Sequence, residues 1–329
     1  MAIGRRQLIS AIAGAAVAWP LAARAQATMP VIGFLDPGSS ETSARKLAGF
    51  LKGLNSTGYI DGKNVSIDYH WLEGRYDRVP GVLADLVRKR VAVIAIPGFQ
   101  VAALAAKAAT TTIPIVFGAA EDPVELGLVA NLAHPGGNTT GTNSFVQEIG
   151  AKRLRLLHEL VPKAVRVAVL VNPSNASATE ITLHDMQVAA PLIGVQTQTL
   201  RASTIGEINA AFAVLARDRP DALFVAPDGF LNSRGVQLAI LAARERIPSS
   251  YTNRETVAAG GLMSYGTDLA EVFREVGVYA GRILKGEMPA DLPVLQETKF
   301  EFVINLQTAR ALNIEVPPAV LSIADEVIE

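Results

Sequence analysis

No cysteine occurs in the 329 residues. Disulfides are excluded, so stability has to come from the core. Lipid attachment at the end of an export signal needs a cysteine, and it is excluded too. The four histidines, His70, His134, His158 and His184, are scattered and lack metal-ligand spacing. No Walker sequence is present. Gly136-Gly137-Asn138-Thr139-Thr140-Gly141 precedes a strand-like run instead of following one, which is the wrong order for a phosphate-binding turn. Ser264 lies in Leu262-Met263-Ser264-Tyr265-Gly266, without the first glycine of a nucleophile elbow. These absences argue against an enzyme and against a bound metal or cofactor. There is no basic block, so nucleic acid is not an expected partner. Past residue 27 no apolar run reaches the roughly 20 residues that cross a bilayer. No stable membrane insertion is expected.

What is present begins with residues 1–27. Arg5-Arg6 precede an apolar run from Leu8 to Trp19, and Ala23-Arg24-Ala25 follows. A charged start, a short apolar stretch and an A-x-A end describe an export signal peptide. The arginine pair with Gln7-Leu8-Ile9 points to the twin-arginine route, with Leu8 at the usual aromatic position. Cleavage is expected near Ala25-Gln26 and a soluble life in the periplasm. Losing Arg5, Arg6 and Arg24 leaves a mild acidic excess. Half of the residues are apolar, ample for large buried sheets.

The remaining chain alternates strand-like apolar runs with helix-like stretches. Strands are expected at 30–35, 64–71, 91–96, 113–117 and 139–145, with helices at 41–57, 76–89, 99–110 and 123–133 between them. A second series follows. Its helices fall at 147–160, 177–190, 204–217 and 230–245, and its strands at 166–171, 195–200, 222–226, 249–252 and 261–265. Helix 268–285, strand 300–305 and helix 307–313 close the chain. Such alternation predicts an α/β fold of two doubly wound parallel-sheet lobes. The extra pieces after the second series predict a multi-strand hinge. The expected division is 28–145 with 266–290 in an N-terminal lobe, and 146–265 with 291–329 in a C-terminal lobe.

Ligands of open parallel sheets bind beyond the carboxyl ends of the strands. Six polar loops qualify: Asp36–Ser40, Pro97–Gln100, Gly118–Asp122, Asn172–Asn175, Pro227–Phe230 and Tyr251–Arg254. Helix N-termini after such loops suit a carboxylate. Ser39, Ser40 and Gln100 are candidates for added hydrogen bonds. Glu121 and Asp228 are candidates to balance an ammonium group. Phe99, Phe230, Tyr251 and Tyr265 are candidates for apolar walls. Asp122, Asn172 and Asn175 join them from the same loops. The ordinary alternative for each polar residue is a helix cap or a turn. The convergence of loops from two lobes sets the group apart.

The chain resembles the periplasmic substrate-binding proteins of ABC transporters with the two-lobed type I fold. Within them it resembles the branch that includes tryptophan- and phenylalanine-binding proteins. The matching stretches include Val31-Ile32-Gly33-Phe34, Ile113-Pro114-Ile115-Val116-Phe117 and Asp122-Pro123-Val124 with Gly127-Leu128-Val129. Pro135-Gly136-Gly137-Asn138, Ala151-Lys152-Arg153, Val169-Leu170-Val171-Asn172-Pro173, Ala258-Ala259-Gly260-Gly261 and Phe302-Val303-Ile304-Asn305 continue the match. The resemblance implies binding and delivery of a small molecule to ABC permease subunits, by a monomer and without turnover. Where the family usually carries Thr or Ser followed by Pro-Ala, this chain reads Gly98-Phe99-Gln100-Val101. Where relatives often have Val-Ser-Asp, it reads Asn143-Ser144-Phe145, which adds Ser144 to the candidate ligand-binding residues. The expected ligand is an amino acid or an aromatic or apolar carboxylate. The alternatives are a receptor that presents its ligand to a sensor kinase or chemoreceptor, and an exported enzyme.

Overall fold

The computed structural model describes residues 29–144, 149–297 and 299–329. The export-signal reading of residues 1–27 and the reading of Phe145 lie outside the described residues.

The first lobe is built from β1 (Val31–Asp36), α1 (Ala44–Ser56), β2 (Ser66–Trp71), α2 (Val79–Lys89), β3 (Val93–Ile96), α3 (Gln100–Ala109), β4 (Ile115–Ala119) and β5 (Thr139–Asn143). All four residues of β3 are buried, as are all five of β4. Continuous apolar strands of this kind belong to parallel sheets covered on both faces. The second lobe contains α4 (Gly150–Leu160), β6 (Arg166–Val171), α5 (Ala176–Leu192), β7 (Gln196–Arg201), α6 (Ile205–Asp218), β8 (Ala222–Val225), α7 (Gly229–Ser233), α8 (Gly235–Glu245), β9 (Ser249–Tyr251), α9 (Arg254–Ala258) and β10 (Met263–Thr267). Then come α10 (Leu269–Leu284), β11 (Leu295–Gln296), β12 (Phe300–Asn305), α11 (Leu306–Ala311), α12 (Pro318–Leu321) and β13 (Glu326–Ile328).

The first sheet has the order β11-β5-β4-β3-β1-β2 and the second β13-β12-β10-β9-β8-β6-β7. Every pairing is parallel except β10 with β12, which is antiparallel. The fold is therefore the two-lobed α/β architecture. The chain leaves the first sheet after β5, returns to it after β10, and leaves again after β11. These passages sit later than the expected 266 and 291. Gly266 and Thr267 still pair in the second sheet, while Leu295–Gln296 pair with Thr142–Asn143 in the first. Burial of Leu292 and Val294 and the bond from Val294 N–H to the Leu132 carbonyl (2.7 Å) hold the chain on the first lobe.

The returning helix α10 lies tightly on α1. A Cβ added at Gly53 would collide with the Arg274 carbonyl oxygen, and one at Gly277 with that of Phe50. Glycine alone permits this separation, so the helix pair fastens the passage to the first lobe.

Two helical expectations differ from the structure. Residues 123–133 form a series of turns, with Asp122 Oδ1 accepting from Val124 N at 2.7 Å and Gly127 at φ +70. That backbone conformation stops a helix from propagating. The expected helix 230–245 is split at Arg234 into α7 and α8. Among the described residues, no helix is long and apolar enough to cross a membrane.

Candidate functional site

A cleft of about 770 Å³, part of it open to solvent, lies between the lobes. The first lobe contributes Asp36 and Pro37 at the end of β1, Pro97 to Gln100 after β3, Gly118 to Ala120 at the end of β4, and Ser144 after β5. The second lobe contributes Asn175, Pro227 to Gly229, Asn232 and Thr252. Lys46, Tyr76, Val272 and Phe273 complete the walls. The strand-end loops of both sheets thus meet in one place.

Of the residues singled out from sequence, Phe99, Gln100, Ser144, Asn175 and Asp228 line this cleft. Asn172 stands behind it, donating from Nδ2 to Asp228 Oδ1 at 3.0 Å. Glu121 is also behind the wall. It accepts from the Gln100 side-chain amide and, across the lobes, from the Ser177 hydroxyl. The others lie elsewhere. Ser39 and Ser40 are turn residues, with Ser39 paired to Thr42. Asp122 caps its own turn. Tyr251 is buried in the second lobe's core, where its ring fills the space over Gly261. Tyr265 stacks on Phe300 at 5.8 Å and takes the Lys152 ammonium on its hydroxyl. The strand geometry turns both tyrosines into the protein. The aromatic walls are instead Phe99, Tyr76 and Phe273, with the Tyr76 and Phe99 rings 4.6 Å apart.

Among the described residues, two buried carboxylates line the cleft. Asp228 is the better satisfied. Its Oδ1 accepts from Leu231 N (2.9 Å) and Asn172, and its Oδ2 from Asn175 Nδ2 (3.3 Å) and the Tyr76 hydroxyl (3.2 Å). Burial still pushes its carboxyl above the ordinary aspartate range, against these four donors. Burial, then the Asp228 charge, push the Tyr76 phenol well up. Asp36 uses one oxygen, Oδ1, for Gly38 N and Ser43 Oγ, both at 2.7 Å. Glu121 is likewise raised by burial, against its bonds from Ser177 and Gln100.

The lobes touch across the cleft's rim. Phe230 N donates to the Tyr76 hydroxyl at 2.9 Å, and Arg234 Nη2 to the Glu73 carbonyl at 2.8 Å. Arg45 on α1 reaches Glu255 on α9 and Asp268 at 2.9 Å. The arrangement is a closed one. Among the described residues, no group of three or more His, Cys, Asp or Glu is placed to hold a metal ion.

Tyr76, Lys46 and Phe273 escape a search restricted to strand-end loops. Lys46 stands in the first turn of α1, Phe273 in the second turn of α10, and Tyr76 in a short 3-10 turn before α2.

The chain is 31% identical over 272 residues to the tyrosine-binding protein of Clostridioides difficile (strain R20291), covering 81% of this chain and 76% of that one. It is similar in structure to an ABC domain from Streptococcus pneumoniae in complex with L-Trp. The TM-score is 0.79 at 27% identity, over 91% of this chain and 99% of the other. It is also similar to the ligand-free, open structure of a substrate-binding protein with adhesive properties from Clostridium difficile. That TM-score is 0.61 at 26% identity, over the same 91% and 99%. With identity and coverage alike, the better fit to the L-Trp complex agrees with lobes in contact. These relatives are substrate-binding proteins, not enzymes. Residues 31–328 match the model of the ABC transporter substrate binding proteins, and the chain belongs to that family.

Proposed function

We propose that this protein is a periplasmic receptor that captures a small organic molecule, an amino acid or an aromatic or apolar carboxylate, and delivers it to ABC permease subunits. The observation that carries this reading is the meeting of both lobes' strand-end loops around one cleft with aromatic walls at Tyr76, Phe99 and Phe273. Burying an apolar group there supplies affinity, and a few fixed polar groups orient it. Gln100, Ser144 and Asn175 form the polar contacts, with Asp228, Asn172 and Glu121 holding the wall in place. The two lobes close over the ligand about their linking segments. The tyrosine- and L-Trp-binding relatives support an aromatic body for the ligand. Residues 1–27 act as the export signal, and the receptor works as a monomer.

A thermal-shift screen against amino acids, aromatic acids and other small carboxylates tests this. A ligand at 100 times its dissociation constant adds about 2.7 kcal/mol and raises the melting point by a few degrees. No shift across such a panel overturns the reading. Small-angle scattering with the ligand that shifts is expected to show a smaller radius of gyration than without it.

A further inference from the structure

The cleft's two carboxylates differ in what they have left to offer. Both oxygens of Asp228 carry two donors each. Asp36 is fully buried, and its Oδ1 is pinned by Gly38 N and Ser43 Oγ. Its Oδ2 receives no hydrogen bond among the described residues. The nearest cation is Lys46, whose Nζ stands 3.6 Å away, beyond hydrogen-bond length. The Lys46 side chain is only 15% exposed, and its ammonium sits 5.2 Å from the centre of the Phe273 ring. Lys46, Asp36 and Phe273 all line the cleft.

Lys46 is therefore held by a carboxylate and a ring face, while its N–H groups find no hydrogen-bond acceptor among the described residues. An ammonium carries three donors, and those of Lys46 are open to an acceptor in the cleft. The neighbouring helix α3 opens on Phe99, whose side chain makes no cap bond, so no hydroxyl competes for an anion there. A carboxylate supplies what Lys46 lacks, because bonds between ionised partners are the strong ones. Asp36 cannot follow the ligand, since its Oδ1 is fixed on both sides. It keeps the ammonium over Phe273 and facing the cleft.

We propose that Lys46, positioned by Asp36, is the cation that binds the ligand's carboxylate, with Phe99 and Phe273 beside the apolar body. This rests on the receptor reading of the cleft. It makes the carboxylate, not an ammonium group, the part of the ligand that charge recognition depends on.

Calorimetry on the full chain with L-tryptophan, indole-3-propionate and tryptamine tests it. The second probe lacks the amine and the third the carboxylate. The wild-type chain is expected to bind both acids, and to bind tryptamine at least about 30-fold more weakly. Lys46→Met lowers affinity for both acids by about 30-fold and leaves tryptamine unchanged. Lys46→Arg keeps most of the acid affinity. Asp36→Asn weakens acid binding, but adding it to Lys46→Met costs nothing further, because a positioning residue acts only through what it positions. Equal binding of tryptamine and the acids overturns the proposal, as does a Lys46→Met variant within about threefold of wild type for the acids. If Lys46→Met does not fold, the wild-type comparison of acids with amine decides alone. A wild-type chain that binds none of the three overturns the receptor reading for aromatic acids together with this proposal. One that binds the acids without regard to Lys46 overturns this proposal only.

Discussion

Tyr76 and Asp228 stand on opposite lobes, and the Tyr76 hydroxyl donates to Asp228 Oδ2 at 3.2 Å while accepting from Phe230 N at 2.9 Å. One hydroxyl thus joins the two lobes twice, beside the cleft. Its partners are buried or nearly so, and an unmet buried polar group costs about 1–3 kcal/mol. Tyr76→Phe keeps the ring against Phe99 and removes only this hydroxyl. Affinity for a ligand found in the thermal screen is expected to fall about tenfold, as measured by calorimetry, because the closed form loses bonds that the open form never had. Unchanged affinity would mean that the lobes meet without help from this contact.

Glu121 makes another cross-lobe bond, to Ser177, and burial raises its carboxyl above the ordinary glutamate range. The folded protein therefore holds this proton more tightly than the unfolded chain. As pH rises from about 4.3, the unfolded value, through the raised folded value, this group's contribution to stability declines. Below and above that window it is constant. Melting curves of wild type and Glu121→Gln across pH 4 to 7 isolate the effect. Wild type is expected to lose stability relative to the variant as pH rises through the window. A difference that does not change with pH would remove Glu121 from the linkage.

Much of this architecture is legible from apolar runs. Val93–Ile96 and Ala222–Val225 are buried without interruption, and such segments announce a parallel sheet. The helix expected at 123–133 is replaced by turns, because Asp122 and Gly127 fix a different backbone. Leu295–Gln296 is a strand of two exposed residues. It exists because neighbouring Leu292 and Val294 are buried, and no local periodicity marks it.

The site was legible where it obeys the strand-end rule. Phe99, Gln100, Asn175 and Asp228 follow strands, and the topology carries them to the cleft. Tyr251 and Tyr265 lie within strands or at their ends, where the side-chain direction is set by the pleat and points to the core. Lys46 and Phe273 face the cleft only because α1 and α10 pack so closely, a tertiary fact that no single window of sequence contains.

Arg45 offers a contrast with Tyr76. It also bridges the lobes, through Glu255, and pairs with Asp268 at the start of α10, but its side chain is 46% exposed and those of its partners 41% and 40%. Exposed ion pairs contribute about 0–1 kcal/mol, and salt screens them. Arg45→Ala is expected to leave ligand affinity within about twofold and to lower the melting point by no more than a few degrees. A large loss would show that the closed form depends on charge at its rim.

The glycines between α1 and α10 set two effects against each other. Alanine in place of a helical glycine gains about 1 kcal/mol in helix propensity. At Gly53 the new methyl would meet the Arg274 carbonyl oxygen, and backbone cannot yield as a side-chain tip does. Overpacking of that kind costs about 1–3 kcal/mol or more, which outweighs the gain. Gly53→Ala is therefore expected to lower the melting point. Gly81, within α2, is the control, because a Cβ there meets nothing within 4 Å. Gly81→Ala is expected to raise the melting point slightly, since only the propensity term acts. If both variants are stabilised alike, α1 and α10 separate without cost, and the returning helix is not what fastens the lobe passage.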